Sequence, residues 1–163
     1  EPYAPSDGID VTIEDIAVRN LLLIADASGE NFNVVFTGVN NTADVNLVRM
    51  TFVADNAEAS ADFVLEAGIT SFGNPDGDVP PQLVSLPGVK VGSTVQAYFE
   101  TQSGGEAKYE VPVLDGTLAE YKNYVISKSQ MRVLEEAANK DEKSGEAAAK
   151  VEGEATEETP AAE

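Results

Sequence analysis

The feature that most constrains the fold of this chain is a series of short β-type runs separated by turn signals, which extends from Ile9 to about residue 124. Gly, Pro, Asn and Asp, which form turns for definite backbone reasons, cluster between the runs. Many short strands with such turns between them are typical of a β-sandwich. The sequence therefore predicts an all-β fold, an antiparallel Ig-like β-sandwich. Its predicted strands are 11–18, 21–25, 32–39, 45–53, 61–65, 82–86, 94–101 and 108–113.

The runs 94–101 and 108–113 alternate between apolar and mostly polar residues. Because successive side chains of a strand point to opposite faces, each run is expected to have one buried and one wet side. Gly104 and Gly105 lie between the runs, so we predict that they form a hairpin. The side chains predicted to face the core are Val95, Ala97, Phe99, Tyr109, Val111 and Val113.

The domain boundaries follow from a change of composition after residue 126. Ser127 and Gln130 fit a helix capping box, and apolar residues from Met131 to Ala138 recur at helical spacing. Beyond Lys140 there is almost no large apolar residue to offset the entropy of ordering. We predict an N-terminal lead or tether at 1–8, a β-sandwich domain at 9–126, a short helix at 127–139 and a disordered acidic tail at 140–163.

Charge and residue inventory exclude several functions. The net charge is −19, and only ten acidic and five basic residues follow residue 126, so most of the negative charge belongs to the body. Such a surface repels polyanions, which argues against nucleic-acid binding. His and Cys are absent, which removes the usual general base, the thiol nucleophile and the common zinc and copper ligands. The sequence predicts a chain that is not an enzyme and has no membrane-spanning segment, since its longest apolar run, 21–25, is far below the roughly 20 residues required.

Carboxylates and amides offer two candidate sites, each with a simpler interpretation. Asn74, Asp76 and Asp78 surround a glycine turn in the way that calcium loops do, but no Glu closes the site, and ordinary turn formers are favoured. The sequence 40–42 (NNT) matches a glycosylation acceptor, yet it is also a common strand-to-strand turn. The turn is the preferred interpretation in both places.

Other candidate residues are likewise better explained without chemistry. The acid pairs Asp44 with Asp55 and Glu58 with Asp62 resemble glycosidase pairs only as any acidic protein would. Met50 lies in a β-run and Met131 in the predicted helix, so they are expected to pack rather than to bind copper. Four tyrosines lie toward the end of the body: Tyr98, Tyr109, Tyr121 and Tyr124. They either form a binding surface or occupy ordinary half-buried positions on strands. No catalytic, cofactor or metal residue is assigned.

Three stretches of the body carry a family resemblance. They are 91–99 (VGSTVQAYF), 111–121 (VPVLDGTLAEY) and 16–23 (IAVRNLLL). Over about residues 8–124 the chain resembles the LpqE-like lipoproteins of actinobacteria, whose fold is related to the cupredoxin-like sandwich of periplasmic copper chaperones. Those chaperones bind copper through paired His and Met residues. Because this chain has no His, the resemblance implies the scaffold and not the copper site.

The resemblance also implies a location and a partner. It implies an extracytoplasmic lipoprotein, held on the outer face of the plasma membrane through an N-terminal Cys that would precede this chain. The turn-rich lead after Glu1 fits a processed, exported chain. We therefore expect a non-catalytic binding or accessory subunit of a membrane protein complex, the actinobacterial cytochrome bcc-oxidase supercomplex being the one that the resemblance indicates. The alternative is an extracytoplasmic copper or calcium chaperone or binding protein.

Overall fold

A computed structural model describes residues 7–117, 119–127 and 130 of the chain. Within them the regular secondary structure is almost entirely β-strand, which confirms the predicted all-β class. A 3₁₀ helix, Ala119–Tyr124, follows the last strand. The strands are β1 (Ile9–Ile13), β2 (Ile16–Ala25), β3 (Asn31–Asn40), β4 (Asn46–Ala54), β5 (Ala57–Leu65), β6 (Gly68–Phe72), β7 (Leu83–Ser85), β8 (Thr94–Thr101) and β9 (Glu106–Leu114).

The strands form a single curled sheet whose two halves face each other across the core. One half contains β1, β2, β3, β6 and β7, and the other contains β5, β4, β8 and β9. The halves join where β9 pairs with β2, at Leu23 with Val113 and Ile24 with Leu114. This pairing is parallel. The sheet is therefore mixed, whereas the sequence analysis predicted a purely antiparallel one. Alternation of side chains gives the buried face of a strand but not the direction of its neighbour.

The first predicted strand, 11–18, is divided by a turn at Glu14 and Asp15, and its second part continues into 21–25 as β2. Continuity of β2 depends on Asn20, which adopts a left-handed φ of 53° where the register with β3 shifts. Asn tolerates this conformation better than most residues. The resulting bulge keeps Val18 and Leu21 on the same, core-facing side of β2, where both are fully buried.

The core lies between the two halves and contains three closely packed phenylalanine rings. Phe36 stacks on Phe72 with ring centroids 4.5 Å apart, and Phe63 meets both edge-on at 4.9 and 5.4 Å. Phe72 belongs to β6, a strand that the sequence analysis did not predict. Edge-to-face and offset arrangements such as these are favourable for aromatic rings.

The predicted core positions of β8 and β9 are confirmed with one exception. Val95, Ala97, Phe99, Val111 and Val113 are buried. Tyr109 was predicted to be buried and is 45% exposed. Its half of β9 lies at a sheet edge, since in the described part of the chain it pairs only with β8. The ring therefore covers the side of Phe99, with centroids 6.3 Å apart, instead of entering the core.

The segment after β9 covers the outer side of β2. Tyr121 is buried against Leu22 and Ile24, so β2 is buried on both faces. The Tyr121 hydroxyl donates to Asp7 Oδ2 at 2.7 Å. Burial, and then this hydrogen bond, raise the pKa of Tyr121, so the hydroxyl remains a donor. Asn33 ties the segment to the sheet, because its Nδ2 donates to the Gly73 carbonyl at 2.7 Å and to the Tyr124 carbonyl at 3.0 Å.

Some of the predicted features lie outside the described residues. These are most of the lead at 1–8, the tail at 140–163, and the helix at 127–139 apart from Ser127 and Gln130. Among the residues that are described, no helix has the length and apolar character needed to cross a membrane.

Candidate functional site: the outer face of β4, β5, β8 and β9

The candidate calcium loop at Asn74 is a hydrogen-bonded turn, the interpretation that the sequence favoured. Asn74 Oδ1 accepts from the Asp76 backbone N–H at 2.9 Å, and the Asn74 carbonyl accepts from the Gly77 N–H at 3.0 Å. The amide oxygen that a metal would need is therefore engaged within the turn. In the described ranges, no three His, Cys, Asp or Glu side chains are grouped so as to hold a metal ion.

The candidate glycosylation acceptor, Asn40, is a structural residue. Asn40 is 2% exposed, and its Nδ2 donates to the carbonyls of Asp44 at 2.7 Å and Leu65 at 2.9 Å. Its Oδ1 accepts from the backbone N–H of Thr42 at 2.9 Å. An amide nitrogen that is buried and bonded in this way cannot carry a glycan, so the turn interpretation is correct.

The candidate acid pairs do not form catalytic pairs. Asp44 precedes β4 and Asp55 follows it, so a nine-residue strand of roughly 30 Å separates them. Asp62 is engaged by Arg49, whose Nε and Nη2 donate to its two carboxylate oxygens at 2.8 and 3.1 Å. This hydrogen bonding lowers the pKa of Asp62. Glu58 therefore has no free carboxylate partner in Asp62.

The candidate soft ligands and aromatic residues lie in different parts of the fold. Met50 is fully buried in the core, which confirms its packing role, whereas Met131 lies outside the described residues. Tyr121 is buried against β2 and Tyr124 is half-buried beside it. Tyr98 and Tyr109 are exposed but point to opposite sides of their sheet, since Tyr98 pairs with Lys108 and Tyr109 with buried Ala97. The four tyrosines thus do not form one patch.

Tyr98 belongs to a different surface, which sequence reasoning did not assemble. We call it the acidic face: the outward side of β4, β5, β8 and β9, opposite the core. Cross-strand pairing places its side chains in rows across the four strands. Its central members are Arg49, Thr51, Val53, Glu58, Ser60, Asp62, Gln96, Tyr98, Glu100, Glu106, Lys108 and Glu110, and Val64 lies at its margin on β5.

The rows of the acidic face differ in how well their charges are paired. The Lys108 ammonium lies 5.7 Å from the centre of the Tyr98 ring, within the range of a cation–π contact. The Glu110 carboxylate accepts from the Thr94 hydroxyl at 2.7 Å. Glu100 and Glu106, in contrast, stand directly opposite each other on β8 and β9. Like charges in that position destabilise a sheet.

Two concavities run across this face. One, of about 520 Å³, is lined by Thr51, Val53, Glu58, Tyr98, Phe99, Glu100, Glu106 and Ala107. The other, of about 600 Å³, lies beside the β4–β5 turn and the loop before β8, and Val53 lines both. Asp55, Lys90 and Glu110 supply the charged groups of the second concavity. Together they form an elongated, open surface with an exposed aromatic ring, which suits a contact with another chain better than enclosure of a small substrate.

The fold and this surface define an all-β domain with an open acidic sheet face. No family model matches the chain, and no curated protein matches it. Among solved structures it is similar to the apo PCuAC domain from PmoF1, with 16% identity and a TM-score of 0.47 over 64% of this chain and 98% of that one.

Two further similar structures are PCuAC domains from PmoF2. The copper-bound form has 14% identity and a TM-score of 0.48 over 66% of this chain and 98% of that chain. The apo form has 15% identity and a TM-score of 0.48 over 68% of this chain and 98% of that chain. The copper belongs to that PmoF2 domain. The present chain has no His and no Cys, and its Met50 is buried in the core.

Proposed function

We propose that this chain is a non-catalytic binding domain of the cell envelope, of the LpqE-like kind, that serves as an accessory subunit of a membrane protein complex. The observation that carries the proposal is the acidic face. It presents the ring of Tyr98, which is 40% exposed, beside half-buried Val53 in an open concavity. Tyrosine is enriched at the energetic centres of protein interfaces, because it adds apolar area and a polar tip.

The location belongs to the same proposal. A lipid anchor upstream of this chain would hold the domain on the outer face of the plasma membrane, and the LpqE resemblance of 16–23, 91–99 and 111–121 supports this. Anionic lipid headgroups repel a chain with a net charge of −19. The acidic face would then point toward a protein partner and away from the bilayer. The cytochrome bcc-oxidase supercomplex is the first complex to test.

We expect Tyr98→Ser to reduce recovery of the partner complex about tenfold or more, as loss of a central interface tyrosine does. The measurement is co-purification of the full lipoprotein from gently solubilised actinobacterial membranes, with quantitative mass spectrometry. Ile69→Ser is the matched control, because Ile69 is 75% exposed on β6, in the other half of the sheet. Recovery of the wild-type chain alone, or equal recovery with both variants, would contradict the proposal.

The alternative function, a copper-binding protein, is not favoured by the residues. Copper(I) requires soft ligands gathered at one place. Met50, the only soft ligand in the described part of the chain, is fully buried in the core.

We therefore expect calorimetric titration of the full chain with copper(I) to show no saturable site in the micromolar range. A Met50→Leu variant should give the same titration curve as wild type, because the thioether serves packing alone. A micromolar site in the wild-type chain would favour the chaperone interpretation, and its loss in Met50→Leu would identify the ligand.

A further inference from the structure

The pairing of Glu100 with Glu106 leaves two negative charges side by side at the end of the β8–β9 hairpin. Both side chains are exposed, and in the described ranges no basic group lies within ion-pair distance of either. Arg49 neighbours Glu100 in the same row and attracts its charge, but two of its nitrogens are bonded to Asp62, so this one cation is shared between two carboxylates. The free protein therefore carries an electrostatic cost at this point that a cationic group from outside would relieve.

The neighbouring charges also favour the binding of a cationic group at this place. Glu58, on β5, lines the 520 Å³ concavity together with Glu100 and Glu106, so three carboxylates surround Tyr98 and Val53. Lys108 is the nearest cation on the other side of Tyr98, and it lies over the tyrosine ring. The acidic face as a whole has five carboxylates against Arg49 and Lys108, and the second concavity adds one further acid, Asp55, and one further base, Lys90. Its electrostatic complement is a basic surface.

The shape of the face argues for a protein segment and against an inorganic cation. A metal ion would use the carboxylates but not the exposed Tyr98 ring or the Val53 side chain. The two concavities share Val53, and the second extends from the face onto the β4–β5 turn and the loop before β8, which gives room for several residues of an extended chain. In an extended chain alternate side chains point to one side, so basic and apolar residues can meet the carboxylates and Val53 in turn.

We infer that the acidic face binds an extended, basic segment of a partner protein, with an arginine or lysine side chain seated between Glu100 and Glu106 and apolar side chains on Tyr98 and Val53. The inference rests on the proposed function and names the chemistry of its partner. It requires that the like-charged pair weakens the free domain while strengthening the complex.

The test uses a labelled nine-residue peptide in which arginine alternates with valine, and fluorescence anisotropy with the full chain. We expect wild type to bind the peptide, more weakly at about 0.15 M salt than at low ionic strength, because exposed charges are screened. The double variant Glu100→Gln/Glu106→Gln should bind about tenfold more weakly, which corresponds to two exposed charge pairs. The same variant should denature at a higher temperature than wild type, since the repulsion is removed.

The matched control is Asp10→Asn/Glu120→Gln, which removes the same charge at two exposed positions outside the acidic face, one on β1 and one on the 3₁₀ helix. Its peptide affinity should stay within about twofold of wild type. Equal weakening by both double variants would show non-specific attraction to a negative chain and would overturn the inference. So would a micromolar calcium site at Glu100 and Glu106 in a calorimetric titration with CaCl₂ alone, because it would assign the pair to a metal.

The two proposals fail in different ways. If the acidic face binds the membrane complex by apolar contact alone, Tyr98→Ser loses the complex while Glu100→Gln/Glu106→Gln retains it, and only the charge inference falls. If the chain has no partner on this face, neither variant changes co-purification and the peptide does not bind.

Discussion

Phe63→Ala is expected to lower the free energy of unfolding by about 3–5 kcal/mol, the usual cost of emptying a buried phenylalanine site. Phe63 is 1% exposed and meets the rings of Phe36 and Phe72 edge-on. Its removal takes away apolar area and also two aromatic contacts between β5 and the opposite half of the sheet. Chemical denaturation followed by far-ultraviolet circular dichroism measures the change, and it suits a chain without tryptophan.

The adjacent residue provides the control. Val64 is 51% exposed and lies on the outward side of β5, so Val64→Ala should change the same free energy by no more than about 0.5 kcal/mol. Both substitutions shorten a side chain of β5, but Phe63 lies on the core-facing side of the strand and Val64 on the outward side. Similar losses for the two variants would show that the two faces of β5 are assigned wrongly.

Asn40→Asp is expected to destabilise the domain by roughly 2–6 kcal/mol at neutral pH, although the two side chains have nearly the same shape. The substitution replaces an Nδ2 donor by an acceptor, so the buried Leu65 carbonyl loses this donor, and the Asp44 carbonyl keeps only the donor that the Thr42 hydroxyl supplies. Each buried group left unsatisfied costs about 1–3 kcal/mol. A negative charge at a 2% exposed position adds a desolvation penalty.

The pH dependence identifies the cause. A carboxyl whose charged form is disfavoured by burial binds its proton more tightly in the folded than in the unfolded chain. The stability deficit of Asn40→Asp should therefore shrink as the pH falls toward 4 and grow as it rises. Asn41→Asp makes the same charge change at an exposed neighbour and should be nearly neutral. A deficit that does not vary with pH would mean that side-chain charge is not its source.

Much of the fold was predictable because alternation of side chains is a local property. The buried set on β8 and the alternation at the end of β9 follow from period two, and the turn residues give most strand ends. Asn20 shows why the rest was not predictable. Its left-handed backbone joins two predicted runs into one strand, but a single Asn in a sequence does not indicate a β-bulge. Tyr109 is exposed because β9 lacks a second neighbour there, and neighbours are a property of topology.

The acidic face was predictable in its parts and not as a surface. The outward positions Gln96, Tyr98 and Glu100 could be named from the alternation alone. That Glu100 stands opposite Glu106 depends on the register of the β8–β9 hairpin, which the turn geometry sets. The position of Val53 beside Tyr98 depends on β4 pairing with β8, and 39 residues, 55–93, separate these strands in the sequence. Long-range pairing of this kind leaves no mark on a single sequence.

The joining of β2 to β9 has a consequence for the order of folding. Leu23 acquires its neighbour Val113 only after nearly the whole body has been synthesised, and that contact unites the two halves of the sheet. Contacts between residues so distant in sequence require closure of a long loop before they contribute stability, which slows folding. β2, a strand buried on both faces, is thus among the first to be made, and this edge of it stays open until β9, the last strand, is present.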